Sequence, residues 1–168
     1  MAGGITLMEK QLSHIGQDGG LKMVDVGDKK ITRRVAVAEA VVELSEETLG
    51  LLEKQALPKG DALVCAKAGG ILAAKRTDEL IPLCHSLGLS YADIRFETRH
   101  DPASIRIEAE TRSTGQTGVE MEAIIAVQTA AAIIYDMCKA AQRDIVISNV
   151  RLLYKNGGKS GEFRAKRS

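Results

Sequence analysis

Tyr91-Ala-Asp-Ile-Arg-Phe-Glu-Thr98 and Ser104-Ile-Arg-Ile-Glu-Ala-Glu-Thr-Arg112 alternate apolar and charged side chains, with His100-Asp101-Pro102 between them. Ile94 and Phe96 fall on one parity; Asp93, Arg95 and Glu97 fall on the other. In the second run Ile105, Ile107 and Ala109 oppose Arg106, Glu108 and Glu110. Successive side chains of a strand point to opposite faces, so this pattern predicts a β-hairpin with one face buried and one solvated.

The flanking segments supply what covers that buried face. Upstream, residues 33–42 place Val35, Val37 and Val41 on one parity, which suits a strand. Ser45 before Glu46 and Glu47 is an N-cap signal, and a helix follows to about Gln55 with Leu49 and Leu52 inward. Pro58 and Gly60 punctuate. From Asp61 to Lys75 the chain is small and apolar, which predicts a helix. Its adjacent Gly69 and Gly70 each cost roughly 1 kcal/mol relative to Ala, so close backbone packing or an approaching ligand is expected there. Thr77 is placed to cap a short turn that Pro82 ends, and residues 82–89 form a loop. Downstream of Gly115 and Gly118, a long helix runs from about Glu120 to Gln142, and a last strand covers about Val146–Tyr154. Strand, helices, hairpin, helix, strand is an α+β order, with helices packed on one face of a mainly antiparallel sheet.

The 168 residues suit one domain. We divide them into an irregular N-terminal segment (1–22), a single α+β domain (23–156) and a glycine-rich basic tail (157–168). With aromatic residues at 3% and no Trp, the core must be built from Ala, Val, Ile and Leu, and an aromatic base-stacking platform is disfavoured. A net charge of +1 gives no global basic field, which argues against bulk nucleic-acid binding; phosphate recognition must be local. Cys65, Cys84 and Cys138 are odd in number and widely spaced, which fits reduced thiols in a cytoplasmic protein rather than a disulfide framework or zinc knuckle. No signal peptide is expected, and charged residues interrupt each apolar run short of membrane-spanning length. His14, His85 and His100 are scattered, so no metal site is expected. Magnesium carried on substrate phosphates is compatible with the chain.

Three segments carry candidate chemistry. Lys75-Arg76 precedes a loop that presents Cys84 and His85. The imidazole could donate to a phosphate or transfer protons, or simply bond to backbone. Cys84 beside it invites a nucleophile reading, but adjacent side chains diverge, and a buried small hydrophobe is the better account. On the long helix, Asp136 and Lys139 share a face and can pair, as a solvated ion pair or, if partly buried, as an acid/base couple. Glu122 and Asp136, fourteen residues apart, lie about 21 Å apart along that helix. One small ligand does not readily touch both, so joint action implies a long substrate or a site shared between subunits. Asn156-Gly-Gly-Lys-Ser-Gly161 fails as a P-loop, because Leu153 stands where glycine is needed and no helix-length segment follows. A glycine-rich tail in which Lys159 closes over an anion is the remaining reading.

Seven ordered segments together resemble one family: Met23-Val-Asp-Val26, Lys59-Gly-Asp61, Ala73-Ala-Lys-Arg-Thr77, Leu80-Ile-Pro-Leu-Cys-His85, Thr117-Gly-Val-Glu-Met-Glu-Ala123, Tyr135-Asp-Met-Cys-Lys-Ala140 and Gly157-Gly-Lys-Ser-Gly161. They resemble the cyclic pyranopterin monophosphate synthases of molybdenum cofactor biosynthesis. The resemblance implies a ferredoxin-like subunit, a hexamer built as a trimer of dimers with interfacial sites, and no redox cofactor. It implies a cyclised dihydro-GTP substrate and release of pyrophosphate. It further implies that Asp136, Lys139 and Lys59 are catalytic and that Leu83, Cys84, His85, Glu120, Met121 and Glu122 bind substrate. Lys75, Arg76 and Lys155, with Lys59 and His85, would supply cations to the triphosphate. Competing readings are a non-enzymatic interaction module and a phosphohydrolase or nucleotide-binding regulator.

Overall fold

Strands β1 (Thr32–Glu43), β2 (Leu89–His100), β3 (Ala103–Gly115), β4 (Val146–Asn156) and β5 (Phe163–Arg164) form one sheet in the order β2-β3-β1-β4-β5. Every neighbouring pair is antiparallel. Helices α1 (Glu46–Glu53), α2 (Ala62–Ala74), α3 (Thr77–Leu80) and α4 (Glu120–Cys138) complete the fold. The computed structural model describes residues 19–166. Most of the segment 1–22, with His14, lies outside the described residues, as does Arg167. The order of β1 to β4, with helices on one face, is the ferredoxin-like α+β arrangement expected above.

The hairpin reading holds residue by residue. Ile94 pairs with Ala109 and Phe96 with Ile107, and Ile94, Ile105, Ile107 and Ala109 are buried. Opposite them Arg95 pairs with Glu108, and its guanidinium donates to that carboxylate at 2.7 Å. The strand expected at β1 is present, and the parity of Val35, Val37 and Val41 is its open face. Ala36, Ala38, Ala40 and Val42 are fully buried, whereas Val35, Val37 and Val41 are half-buried on the side without helices. Small side chains on the covered face let α4 approach the sheet closely. On the open face Glu39 is only 7% exposed, and Arg106 Nε and Arg151 Nε each donate to it at 2.8 Å.

Packing of α2 against α4 explains the paired glycines. A Cβ at Gly69 would overlap Ile133 Cδ1. One at Gly70 would overlap Ile94 Cδ1 and stand 2.8 Å from the Ala126 carbonyl oxygen. Of the two reasons anticipated, close backbone packing is the one found. By length and mean hydropathy α4 could cross a bilayer, but Glu120, Glu122 and Asp136 interrupt its apolar run, as expected. Its buried Ala123, Ala126, Val127, Ala130, Ala131 and Ile134 make it the core helix of the fold.

Helix starts follow their caps. Ser45 Oγ accepts from Thr48 N, and Asp61 Oδ1 accepts from Leu63 N and Val64 N at 3.0 Å. Thr77 departs from its expected role. It is the first residue inside α3, and its hydroxyl donates backwards to the Ala74 carbonyl at 3.1 Å. Helix α4 ends at Cys138 rather than Gln142, because the amides of Ala141 and Gln142 both turn back to the Cys138 carbonyl. Within the tail, Phe163–Arg164 adds a short strand that its composition did not signal.

Candidate active site

A cleft of about 320 Å³ opens at the N-terminal end of α4. One wall is the loop after α3, bearing Leu83, Cys84, His85 and Leu87. The facing wall is Gly118, Glu120, Met121 and Glu122. Val24, Val26 and Lys29 close a third side. Thr111 fixes the second wall: its buried hydroxyl donates to the Val119 carbonyl at 2.9 Å, holding the turn into α4, which lacks a side-chain cap. His85 fixes the third. Its Nε2–H donates to the Val24 carbonyl at 2.7 Å, since a carbonyl oxygen can only accept. The backbone bond expected of an ordinary loop histidine is therefore present, and in the neutral ring it leaves Nδ1 as the acceptor.

Glu122 dominates the electrostatics of the cleft. It is 4% exposed, and burial, reinforced by the Glu120 and Asp78 carboxylates, pushes its carboxyl up to about 7. A carboxyl that titrates near neutrality can both give and take a proton. Burial, with Glu122 and Asp78 nearby, also pushes the Cys84 thiol up, so it stays protonated and is a poor nucleophile. At the rim, Lys155 Nζ lies 3.3 Å from Glu120 Oε1 and also donates to Ser160 Oγ, which ties the glycine-rich tail to this end of α4.

A second cluster stands at the other end of α4. Gly60, with φ of 92°, turns the chain between α1 and α2. Lys59 in that turn reaches Asp136 Oδ2 at 2.7 Å and the Asp136 carbonyl at 2.9 Å. Lys139 Nζ lies 2.7 Å from Asp136 Oδ1. Hydrogen bonds from Lys139 and Lys59 pull the Asp136 carboxyl down to about 2. All three side chains are roughly half exposed, so this is a solvated cluster rather than a buried couple. It holds two ammonium groups around one carboxylate, a net positive site open to an anion.

A family model described as the MoaC family matches residues 23–158. The chain is 68% identical over 158 residues to a cyclic pyranopterin monophosphate synthase of Desulfovibrio desulfuricans, covering 94% of this chain and 97% of that one. It is 65% identical over 153 residues to that of Nitratidesulfovibrio vulgaris, covering 91% and 95%. With that of Chloroflexus aurantiacus it shares 52% over 159 residues, covering 94% and 96%. The chain belongs to the MoaC family.

In this MoaC-family chain the residues singled out by sequence divide between two places. Leu83, Cys84, His85, Glu120, Met121 and Glu122 meet in the cleft, with Lys155 at its rim. Lys59, Asp136 and Lys139 meet at the far end of α4. Lys75 and Arg76, at the junction of α2 and α3, are exposed and do not line the cleft. Sequence reading missed Lys29, Leu87 and Thr117 as cleft residues. Thr117 lay within a quoted motif; Lys29 and Leu87 carried no local signal, because the fold alone brings them in. Among the described residues no three His, Cys, Asp or Glu side chains converge on a metal position.

Proposed function

We propose that the protein converts (8S)-3',8-cyclo-7,8-dihydroguanosine 5'-triphosphate to cyclic pyranopterin monophosphate with release of pyrophosphate; its relatives are named cyclic pyranopterin monophosphate synthases. The observation that carries this reading is the cleft in which Glu122, buried and titrating near 7, faces the Cys84-His85 loop. Opening a purine ring and closing a pterin ring takes repeated proton transfers, and a carboxyl poised at neutral pH serves both directions.

In this account Glu122 exchanges protons with the purine-derived base. His85, oriented by Val24, presents Nδ1 to the substrate, and Leu83 and Met121 pack against the ring system. Lys59 and Lys139, held by ionised Asp136, stabilise phosphate charge and relay protons, while Lys155, Lys75 and Arg76 add cations around the triphosphate. No redox cofactor takes part, and any magnesium arrives on the substrate phosphates.

The two clusters stand about 21 Å apart along α4, too far for one small ligand. We therefore propose a homohexamer, a trimer of dimers, in which the Asp136 cluster of one subunit completes the cleft of a neighbour. The open sheet face and the exposed state of Lys75, Arg76 and Asp136 support this reading. Three free cysteines support a cytoplasmic setting. The assay that tests the function is incubation with the cyclised dihydro-GTP, following pyrophosphate release and the fluorescence of the oxidised pterin. Appearance of both is expected; nucleotide hydrolysis without pterin would refute the reading.

A further inference from the structure

The covered face of β3 runs Ile105, Ile107 and Ala109, and then changes to Thr111 and Ser113. These last two are buried, at 0% and 4% exposure, in positions that the alternation reserves for apolar side chains. A buried hydroxyl must find an acceptor. Each finds one, and the two acceptors belong to opposite walls of the cleft. Thr111 Oγ1 donates to the Val119 carbonyl at 2.9 Å, on the turn into α4. Ser113 Oγ donates to the Gly88 carbonyl at 3.0 Å, where the loop after α3 runs into β2.

Both hydroxyls stand on a rigid base, because β3 is an interior strand. Thr111 pairs with Ala92 of β2 and Ala36 of β1, and Ser113 with Leu89 and Arg34. Two residues apart on one strand face, they are about 7 Å from each other. Different groups hang from each. Val119 is the N-cap of α4, and its apolar side chain cannot accept from the helix amides, so Thr111 braces from outside the turn that aims Glu120, Met121 and Glu122. Gly88 adjoins Leu87, a cleft residue, and upstream the Cys84 amide donates to the Ile81 carbonyl at 3.0 Å. Cys84 and His85 thus lie on a loop fixed at both ends.

We propose that Thr111 and Ser113 are positioning residues that clasp the two walls and set the gap between Glu122 and the Cys84-His85 loop. The inference rests on the proposed function for what the walls do, and adds to it the residues that hold them at working distance. Neither side chain is among those lining the cleft; each acts through the wall that it holds. The gap matters because Glu122 keeps its high proton affinity only while it is buried, and a wall released from β3 admits water. A misplacement of about 1 Å at a reacting group can cost about 10²-fold in rate.

The test compares Thr111→Val, Ser113→Ala and Thr111→Ser with Ser104→Ala, each in the full chain. Ser104 is the control: it too is buried on β3, and its hydroxyl donates to the Pro102 carbonyl at 3.1 Å, but at the opposite end of the strand. Thr111→Val is expected to lower kcat about tenfold with KM changed by less than about twofold, since the wall it releases carries the proton-transfer group. Ser113→Ala is expected to raise KM about tenfold with kcat changed by less than about twofold, since its wall binds the substrate. Thr111→Ser keeps the hydroxyl and should restore kcat, and Ser104→Ala should keep both constants. A readout independent of turnover is the fall in urea stability from about pH 4 to 8 that Glu122 contributes. That fall should shrink in Thr111→Val and Ser113→Ala and persist in Ser104→Ala. Wild-type constants and a wild-type pH slope in both hydroxyl-deleting variants would overturn the clasp while leaving the activity intact. A slope that shrinks as expected, in a protein that makes no pterin, would leave the clasp standing and sink the proposed activity.

Discussion

Lys59 Nζ lies 2.7 Å from Asp136 Oδ2 although 77 residues separate the two in sequence. The contact joins the α1–α2 turn to the last turn of α4, and Lys139 holds the other carboxylate oxygen. Because every member is solvated, the cluster contributes little to folding. Asp136→Asn and Lys139→Ala should therefore fold with wild-type circular dichroism and thermal midpoint. Product formation should fall by roughly 10²–10⁴-fold, the usual scale for losing a proton-transfer or charge-stabilising group. With its carboxyl lowered to about 2, Asp136 stays ionised at neutral pH. Any stabilisation it gives is present above the ordinary carboxylate range near 4 and is lost as pH falls through about 2.

Glu122 predicts the opposite pH behaviour. Its carboxyl is raised to about 7, so between the unfolded value near 4.3 and 7 the native state holds a proton that the unfolded chain releases. Stability from this group is greatest below pH 4 and falls as pH rises to 7, by on the order of 3 kcal/mol in total. Glu122→Gln should flatten that slope in urea titrations run across pH 4–8. It should also remove a limb near pH 7 from the kcat/KM profile. A slope unchanged by the substitution would show that Glu122 does not titrate there.

Gly70 tests the packing account. Adding a methyl group gains helix propensity, about 1 kcal/mol, but sets a Cβ 2.8 Å from a backbone carbonyl that cannot easily move. The net effect of Gly70→Ala is expected to be destabilising by about 1–3 kcal/mol in denaturant unfolding. Gly50→Ala, where a Cβ meets nothing within 4 Å, is the control and should be neutral or stabilising.

Asp61 tests how Lys59 is aimed. Its carboxylate caps α2 and accepts from Gln55 Nε2 at 3.0 Å, bracing both sides of the turn. Asp61→Ala should cost about 1 kcal/mol of stability. It should also lower turnover while the chain remains folded, measured by steady-state kinetics beside thermal melts.

Much of this was legible in the sequence, for local reasons. Strict alternation through 91–112 announced the hairpin, and Ser45 announced α1, because both signals depend on neighbours in the chain. The face of β1 was not legible. Its covered side carries three alanines with Val42 and its open side three valines with Glu39, so side-chain hydrophobicity does not identify the covered face, and only the approach of α4 decides. The site was legible in pieces. Motifs marked Cys84-His85, Met121-Glu122 and Asp136-Lys139, and helix arithmetic already separated Glu122 from Asp136. That Lys59 reaches Asp136, or that Lys29 joins the cleft, depends on contacts across the fold that no local pattern encodes.

The most direct test of the account is to mix two inactive variants, Asp136→Asn and His85→Ala, and assay pterin formation after subunit exchange is verified by mass spectrometry. If the Asp136 cluster of one subunit serves the cleft of another, random mixing restores intact sites at roughly a quarter of the wild-type number, with activity to match. Verified mixed oligomers that stay inactive would contradict the shared site.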